Sequence, residues 1–347
     1  MGRVAQHEAS ARGLKVLRAG VIGLGVGEQH IAGYRAHPKG RVTALCDISD
    51  AKREMARERY PDCRIEADPE AILRDPEIDV VSVAGYDDSH AAQVLSALRE
   101  DKHVFVEKPL CLYPEEAREI RAELNRRPHL KLSSNLILRR CPRFIELRRR
   151  IAAGDLGEVF YLEASYNYGR IHKITEGWRG RIDYYSVVYG GAVHMIDLLR
   201  WLTGERIVEV SAFGSRIATR RSQFRYDDTV VGIFRCQGGA IGKVVSNYAC
   251  VTPHFHELAV YGTGATFLNQ RDRGLLTVSR DPDHPPETVP GAYPGAQKGD
   301  LVASFLDEIL GSGTAEVTTE DVFATMSVCF AMEQAAKESR KVKVEYL

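Results

Sequence analysis

The chain has no long apolar run, no excess charge of either sign and no regular cysteine pattern. Each absence excludes a class of protein. Nothing in its 347 residues approaches the roughly eighteen consecutive apolar residues that span a bilayer. Its 47 Lys plus Arg balance 47 Asp plus Glu, so no overall field favours nucleic acid or an anionic membrane surface. The seven cysteines (Cys46, Cys63, Cys111, Cys141, Cys236, Cys250 and Cys329) are odd in number and form no Cys-x-x-Cys pair. They read as reduced, mostly structural thiols of a cytoplasmic protein, with no disulfide framework and no metal site. Met1–Gly13 lacks the apolar core of a secretion signal, and residues 1–14 are expected to form a flexible leader.

What is present points first to nucleotide binding. An apolar strand over Lys15–Ile22 runs into Gly23-Leu24-Gly25-Val26-Gly27, a helix follows, and a second strand, Arg41–Cys46, ends on Asp47. A dinucleotide-binding βαβ unit needs this order. The glycines allow a tight turn and close backbone approach to a pyrophosphate, while the helix N-terminus offers free N–H donors and the positive end of its dipole. Asp47 lies 24 residues after Gly23, where a carboxylate can accept from both adenosine-ribose hydroxyls and repel a 2′-phosphate. Ile48-Ser49-Asp50 supply no cation immediately after it, so NAD is expected over NADP. The glycine spacing is one residue tighter than usual, and Gly27 is expected to stand in for the third glycine.

Further strands are expected at Ile78–Ala84, Lys102–Val106 and Leu130–Asn135, alternating with helical stretches. Such alternation predicts a parallel sheet covered on both faces. Near residue 140 the pattern changes to long β-rich runs: Glu158–Tyr168, Ile207–Gly214, Thr229–Cys236, Ala240–Ala249 and Glu257–Gln270. Their alternation predicts a mostly antiparallel sheet with one free face. Helices are expected at Pro142–Ala153, Gly191–Leu202, Leu301–Leu310 and Val322–Ser339, and an exposed loop over Arg280–Gly299. The fold class is therefore α/β: an N-terminal Rossmann domain with a parallel, doubly wound sheet over 15–139, then a C-terminal α+β domain with a large open sheet over 140–347.

Four stretches carry candidate chemistry. Lys108, in Glu107-Lys108-Pro109, follows the fourth expected strand at the ligand-binding edge of the sheet; there its ammonium could stabilise a reacting oxygen. Read alone, it fits a surface lysine better. His194 and Asp197 are three apart in an expected helix, so both lie on one face, and imidazole suits proton transfer near neutral pH. Read alone, a satisfied histidine beside an ion pair is the more ordinary case. Asn167, Tyr168 and Arg170, with Trp178 and Arg179, form an aromatic and basic region suited to sugar rings and carboxylate or phosphate. Arg139-Arg140 adds to the same suggestion of an anionic substrate. His254 and His256 share one strand face, but no Asp or Cys motif accompanies them.

Together these stretches resemble the Gfo/Idh/MocA (glucose–fructose oxidoreductase, inositol dehydrogenase, rhizopine catabolism) oxidoreductases. The resemblance rests on Val21–His30, Ser89-His90, Lys102–Leu110, Gly190-Gly191 with His194 and Asp197, and the ending Ser339-Arg340-Lys341-Val342. It implies an NAD(P)-dependent dehydrogenase acting on CH–OH groups of sugars, nucleotide sugars or cyclitols; among these, the basic, aromatic loops and Arg139-Arg140 favour a nucleotide sugar or uronic acid. It places Lys108 beside nicotinamide and substrate, makes His194 the acid/base, and gives Asp197 a substrate-binding or orienting role. His90, Glu107 and Asn135 join Gly23, Leu24, Gly25, Val26, Gly27 and Asp47 as expected cofactor contacts. The open sheet implies a homodimer or homotetramer. One departure stands out: many relatives carry Asp or Asn four residues before the histidine, where this chain has Gly190. Asp183, Tyr184, Tyr185 and Tyr189 are all open as replacements. Two rival functions follow from the same fold: a lyase or glycosidase that uses NAD transiently, and a non-catalytic NAD- or sugar-sensing regulator.

Overall fold

The computed structural model describes residues 16–347; the expected leader and Lys15 lie outside the described residues. Six strands form the first sheet: β1 (Leu17–Ile22), β2 (Gly40–Cys46), β3 (Arg64–Glu66), β4 (Val80–Val83), β5 (His103–Val106) and β6 (Leu132–Ser134). Their order is β3-β2-β1-β4-β5-β6, and every pairing is parallel. All four residues of β4 are buried, as expected of a strand with helices on both faces. The short β3 was not expected; Arg-Ile-Glu is too short and too charged to stand out. Strand order reverses between β1 and β4, which opens a ligand crevice at their carboxyl ends.

The second sheet has nine strands: β7 (Val159–Asn167), β8 (Ile207–Ser215), β9 (Thr229–Cys236), β10 (Ile241–Asn247), β11 (Phe255–Gly262), β12 (Thr266–Asn269), β13 (Gly274–Thr277), β14 (Glu287–Val289) and β15 (Val342–Lys343). The order is β14-β13-β12-β11-β7-β10-β9-β8-β15, antiparallel except where β7 meets β10. The expected single run 257–270 is two strands folded back on each other, with Tyr261 opposite Thr266. The expected loop Arg280–Gly299 contains β14, whose Val289 is buried.

Helices Val193–Thr203 and Thr319–Glu338 cover one face of this sheet. The other face is uncovered among the described residues. Its aligned rows include Ser211, Ile233, Lys243, Glu163, Ala259 and Leu268, and next to them Phe213, Val231, Val245 and Ser165. Phe213 and Ile233 are 73% and 59% exposed, whereas Val230 and Phe234 on the helix side are buried. Alternation with a period of two explains the split.

Candidate active site

The glycine turn is built as the dinucleotide reading requires. Gly23 has φ 90°, a left-handed conformation that costs glycine little. A Cβ there would lie 2.3 Å from the Ala84 carbonyl oxygen. Helix Gly27–Ala36 begins on Gly27, whose Cβ position would crowd Ala84 and Val21 at 2.9 and 3.1 Å, so Gly27 does take the helix–strand packing role. Gly25 is different: a Cβ there would meet only Lys52 Nζ, at 3.6 Å. The turn is therefore closed against protein at Gly23 and Gly27 and open toward the crevice at Gly25, a cradle a dinucleotide phosphate fits. Leu24 and Val26 complete it, Leu24 buried and Val26 37% exposed.

Asp47 stands at the end of β2 and holds this turn. Its Oδ2 accepts from the Leu24 N–H at 2.7 Å and from Lys52 Nζ at 3.2 Å, and its Oδ1 accepts from the Ser49 N–H at 2.9 Å. Lys52, five residues on, is a cation the local sequence did not connect with Asp47. Three expected cofactor contacts lie beneath the crevice instead of on it, each nearly or fully enclosed by protein. His90 donates through Nδ1 to the Pro109 carbonyl at 2.7 Å, which sets the turn after Lys108. Glu107 Oε1 accepts from Asn135 Nδ2 at 2.6 Å and pairs with His30 Nε2 at 3.3 Å. Burial opposes its ionisation, but the His30 hydrogen bond and the charges of Lys298, His30 and Lys108 hold the carboxyl well below its ordinary value. Asn135 also donates to the Lys298 carbonyl at 3.0 Å. His30 and Lys298 were missed; His30 lies one helical turn past the glycines, and Lys298 arrives on the expected exposed loop.

Lys108 projects from the turn after β5, and its Nζ donates to the Gly190 carbonyl at 3.1 Å. Gly190 belongs to a π-helical turn, Val188–Ala192, that leads directly into the helix bearing His194. Burial lowers the Lys108 ammonium to about 8, opposed by Asp87 and Glu107 and assisted by Arg179 and Lys298. Asp87 is a buried carboxylate that the sequence did not single out. Its own affinity for a proton is raised by burial, against the pull of Lys108. His194 is 5% exposed, and burial followed by the charges of Lys108, Lys298 and His256 pushes its imidazole well below the ordinary value. It is neutral at neutral pH, and its Nδ1 has no partner among the described residues.

Tyr166 faces the His194 ring at 5.9 Å, with His254 and His256 at 4.9 and 5.3 Å from the Tyr166 ring. Tyr293 fixes His256, sharing a 2.7 Å hydrogen bond with Nδ1. Tyr168 packs on Tyr248 at 4.7 Å, with the exposed Arg170 over its ring at 5.3 Å. Trp178 stacks on Tyr86 of the first domain at 4.7 Å. The Arg179 guanidinium lies 4.5 Å from the Trp178 ring and 5.9 Å from that of Tyr185; no hydrogen bond or ion pair to a carboxylate holds it among the described residues. The wall is aromatic and basic, as the sequence suggested.

Three expectations need correction. Asp197 is fully buried and does not serve the site: Arg139 grips it through Nε at 2.9 Å and Nη2 at 2.6 Å, and Thr325 adds a 3.3 Å bond. Arg139 also pairs with Asp321 at 3.1 Å, while Arg140 pairs with Glu316 at 2.8 Å. That arginine pair is spent on structure, so it gives no support to an anionic substrate. Asn167 aligns with Asn247 and Thr229 on the open face of the sheet, opposite to Tyr166. Of the four replacements left open for position 190, Asp183 is exposed, Tyr184 donates to Glu333 at 2.9 Å, Tyr189 packs on Phe330 at 5.6 Å, and the Tyr185 hydroxyl lies against the Gly190 Cα, where a Cβ would point.

Comparisons with known proteins agree with this geometry. Residues 17–135 match "Oxidoreductase family, NAD-binding Rossmann fold", and residues 144–268 match "GFO/IDH/MocA C-terminal domain". The chain is 30% identical over 293 residues to inositol 2-dehydrogenase 2 of Saccharopolyspora erythraea, an alignment covering 83% of this chain and 79% of that protein. It is 23% identical to the myo-inositol 2-dehydrogenase of Thermotoga maritima, over 95% of this chain and 99% of that protein. A levoglucosan dehydrogenase solved with NADH and levoglucosan shares the fold, with a TM-score of 0.84, 21% identity, and coverage of 96% of this chain and 100% of that one.

Proposed function

The chain belongs to the Gfo/Idh/MocA oxidoreductases, and from that premise we propose that it oxidises a carbinol carbon of a small polyhydroxylated ring, a cyclitol or a sugar, with NAD⁺. The observation that carries the reading is the Lys108–Gly190 bond of 3.1 Å. It brings a cation from the first domain onto the turn that opens the His194 helix. NAD, when bound, supplies the hydride acceptor. The open backbone at Gly25 and the carboxylate of Asp47 are the groups of this chain that fit its pyrophosphate and adenosine ribose.

The two titratable groups are poised for opposite jobs. His194 is neutral and can take the hydroxyl proton as general base. Lys108, near pH 8 at half-protonation, is largely cationic at neutral pH and stabilises the developing alkoxide. Reduction reverses both roles. Ring faces at Tyr166, Tyr168 and Trp178 suit the apolar faces of a sugar ring. Arg179, with no hydrogen bond or ion pair among the described residues, suits a carboxylate substituent, so a uronic acid keeps support that a nucleotide sugar loses with Arg139 and Arg140.

The test is reduced-nicotinamide absorbance on mixing the protein with NAD⁺ and inositols, neutral sugars, uronic acids or nucleotide sugars. Turnover with a ring polyol or uronic acid is expected. A flat trace on every class, with NADH binding intact, overturns the reading.

We also assign the open sheet face to a second copy of the chain. The helices cover only one side, and the other presents Phe213, Val231, Ile233 and Ile241 in contiguous rows, an apolar patch of the kind that marks interfaces. Light scattering on the purified chain is expected to give a dimer or tetramer, and Ile233→Lys to shift it toward monomer. A monomeric wild type removes the assignment.

A further inference from the structure

Gly190 sits where a side chain would enter the reaction centre, yet the space beside it is filled. A Cβ built there would lie 2.0 Å from the Tyr185 hydroxyl oxygen and 2.6 Å from that of Tyr248. The two phenols come from distant parts of the chain: Tyr185 precedes the π-helical turn, and Tyr248 follows β10. Both are 1–2% exposed, and their hydroxyls are 2.9 Å apart. They abut the same residue whose carbonyl anchors Lys108.

A hydrogen count sharpens the point. Two hydroxyls that share one hydrogen bond use one proton between them, and the other O–H has no acceptor among the described residues. A buried donor without an acceptor is costly, and it is tolerated where a ligand supplies the missing oxygen.

We propose that the Tyr185–Tyr248 hydroxyl pair presents its unshared O–H to the substrate oxygen held by Lys108, in the space a longer side chain at position 190 would occupy. The inference rests on the dehydrogenase reading above. The pair acts as a donor that stays protonated: burial raises both phenols far above neutral pH. Glycine at 190 is then a requirement of the arrangement, because any Cβ displaces both hydroxyls.

Tyr185→Phe and Tyr248→Phe keep the rings and remove one oxygen each. With NAD⁺ and the substrate that the wild type turns over best, each is expected to lower kcat/KM about tenfold or more, mostly in kcat. The double variant is expected to lose little beyond either single one, because the two hydroxyls work as a unit. The alkaline limb of the pH profile is expected to move in both, while NADH affinity and the thermal midpoint stay near wild type. A purely structural role would lower the thermal midpoint and NADH affinity in step with turnover, and that pattern overturns the inference. So do wild-type kcat/KM and an unmoved pH limb in both single variants, which leave the dehydrogenase reading standing. A wild type without turnover on any substrate class removes both.

Discussion

The two sides of the cleft hold their charged groups in different ways. On the cofactor side, Asp47 spends both carboxylate oxygens on the Leu24 and Ser49 N–H groups and on Lys52, and Glu107 is held by Asn135 and His30. On the substrate side, Arg179 lies over rings with no hydrogen bond or ion pair among the described residues, and the Tyr185–Tyr248 pair has a proton without an acceptor among them. Buried polar atoms without a partner among the described residues occur on both sides, His30 Nδ1, His90 Nε2 and Asn135 Oδ1 on the cofactor side among them, so the contrast lies in the charged groups. The cofactor side's carboxylates are already hydrogen-bonded by protein, whereas on the substrate side Arg179 and the phenol pair keep donors from which the oxygens of a ring polyol or its carboxylate can accept. Preformed backbone geometry sets the cofactor site, and uncommitted donors set the substrate site.

Breaking the substrate side at its cation gives the largest expected effect. Lys108→Met removes the charge on the reacting oxygen and should lower kcat by about 10²–10⁴, with NADH affinity within about threefold of wild type. Stopped-flow turnover beside a fluorescence titration of NADH separates the two. Equal losses in both would erase the distinction between the sides.

Asp197→Ala probes a residue that sequence reasoning placed in the site and the structure places outside it. Removing it leaves Arg139 buried beside Asp321 alone, and losing one partner of a buried pair costs about 3–5 kcal/mol. Chemical denaturation should show that loss. A raised KM with unchanged stability would return Asp197 to the substrate. A pair of variants works on the cofactor side alone. Gly23→Ala forces a left-handed alanine against the Ala84 carbonyl and should destabilise the fold by about 1–3 kcal/mol. Gly25→Ala meets only Lys52 Nζ, so it should melt like wild type while weakening NADH binding about tenfold, its methyl standing where a phosphate approaches.

The same contrast governs what could be read from the sequence. The β1–Gly23–Asp47 unit was legible because tight turns and dipole-assisted phosphate binding demand particular residues at short spacing. Lys108 and His194 were legible only through a family resemblance, since each alone looked ordinary. Asp87, Lys298 and Tyr248 were not legible, because they reach the site through register and loop return across scores of residues. Asp197 misled for the same reason: its partner Arg139 is 58 residues away. Asn167 was the avoidable error. Tyr166-Asn167-Tyr168 alternates, so the neighbours of a wall-facing tyrosine had to face the other way.

The smallest predicted effect is also the one that tunes the junction between the two sides. The Lys108 ammonium is needed to stabilise an alkoxide, and burial has brought it down to about 8. His194 is already neutral well below that pH. Oxidative kcat is therefore expected to be level near neutrality and to fall as pH rises through about 8. Asp87 is the carboxylate that does most to hold Lys108 up against burial. Asp87→Asn removes that support, favours the neutral amine, and must move the limb to lower pH. The shift is expected to be a fraction of a unit to about one unit, worth about 1.4 kcal/mol or less on Lys108. A pH–kcat profile of wild type and variant measures it. A limb that stays in place, or moves upward, would separate Asp87 from Lys108 and leave the alkaline limb to another group.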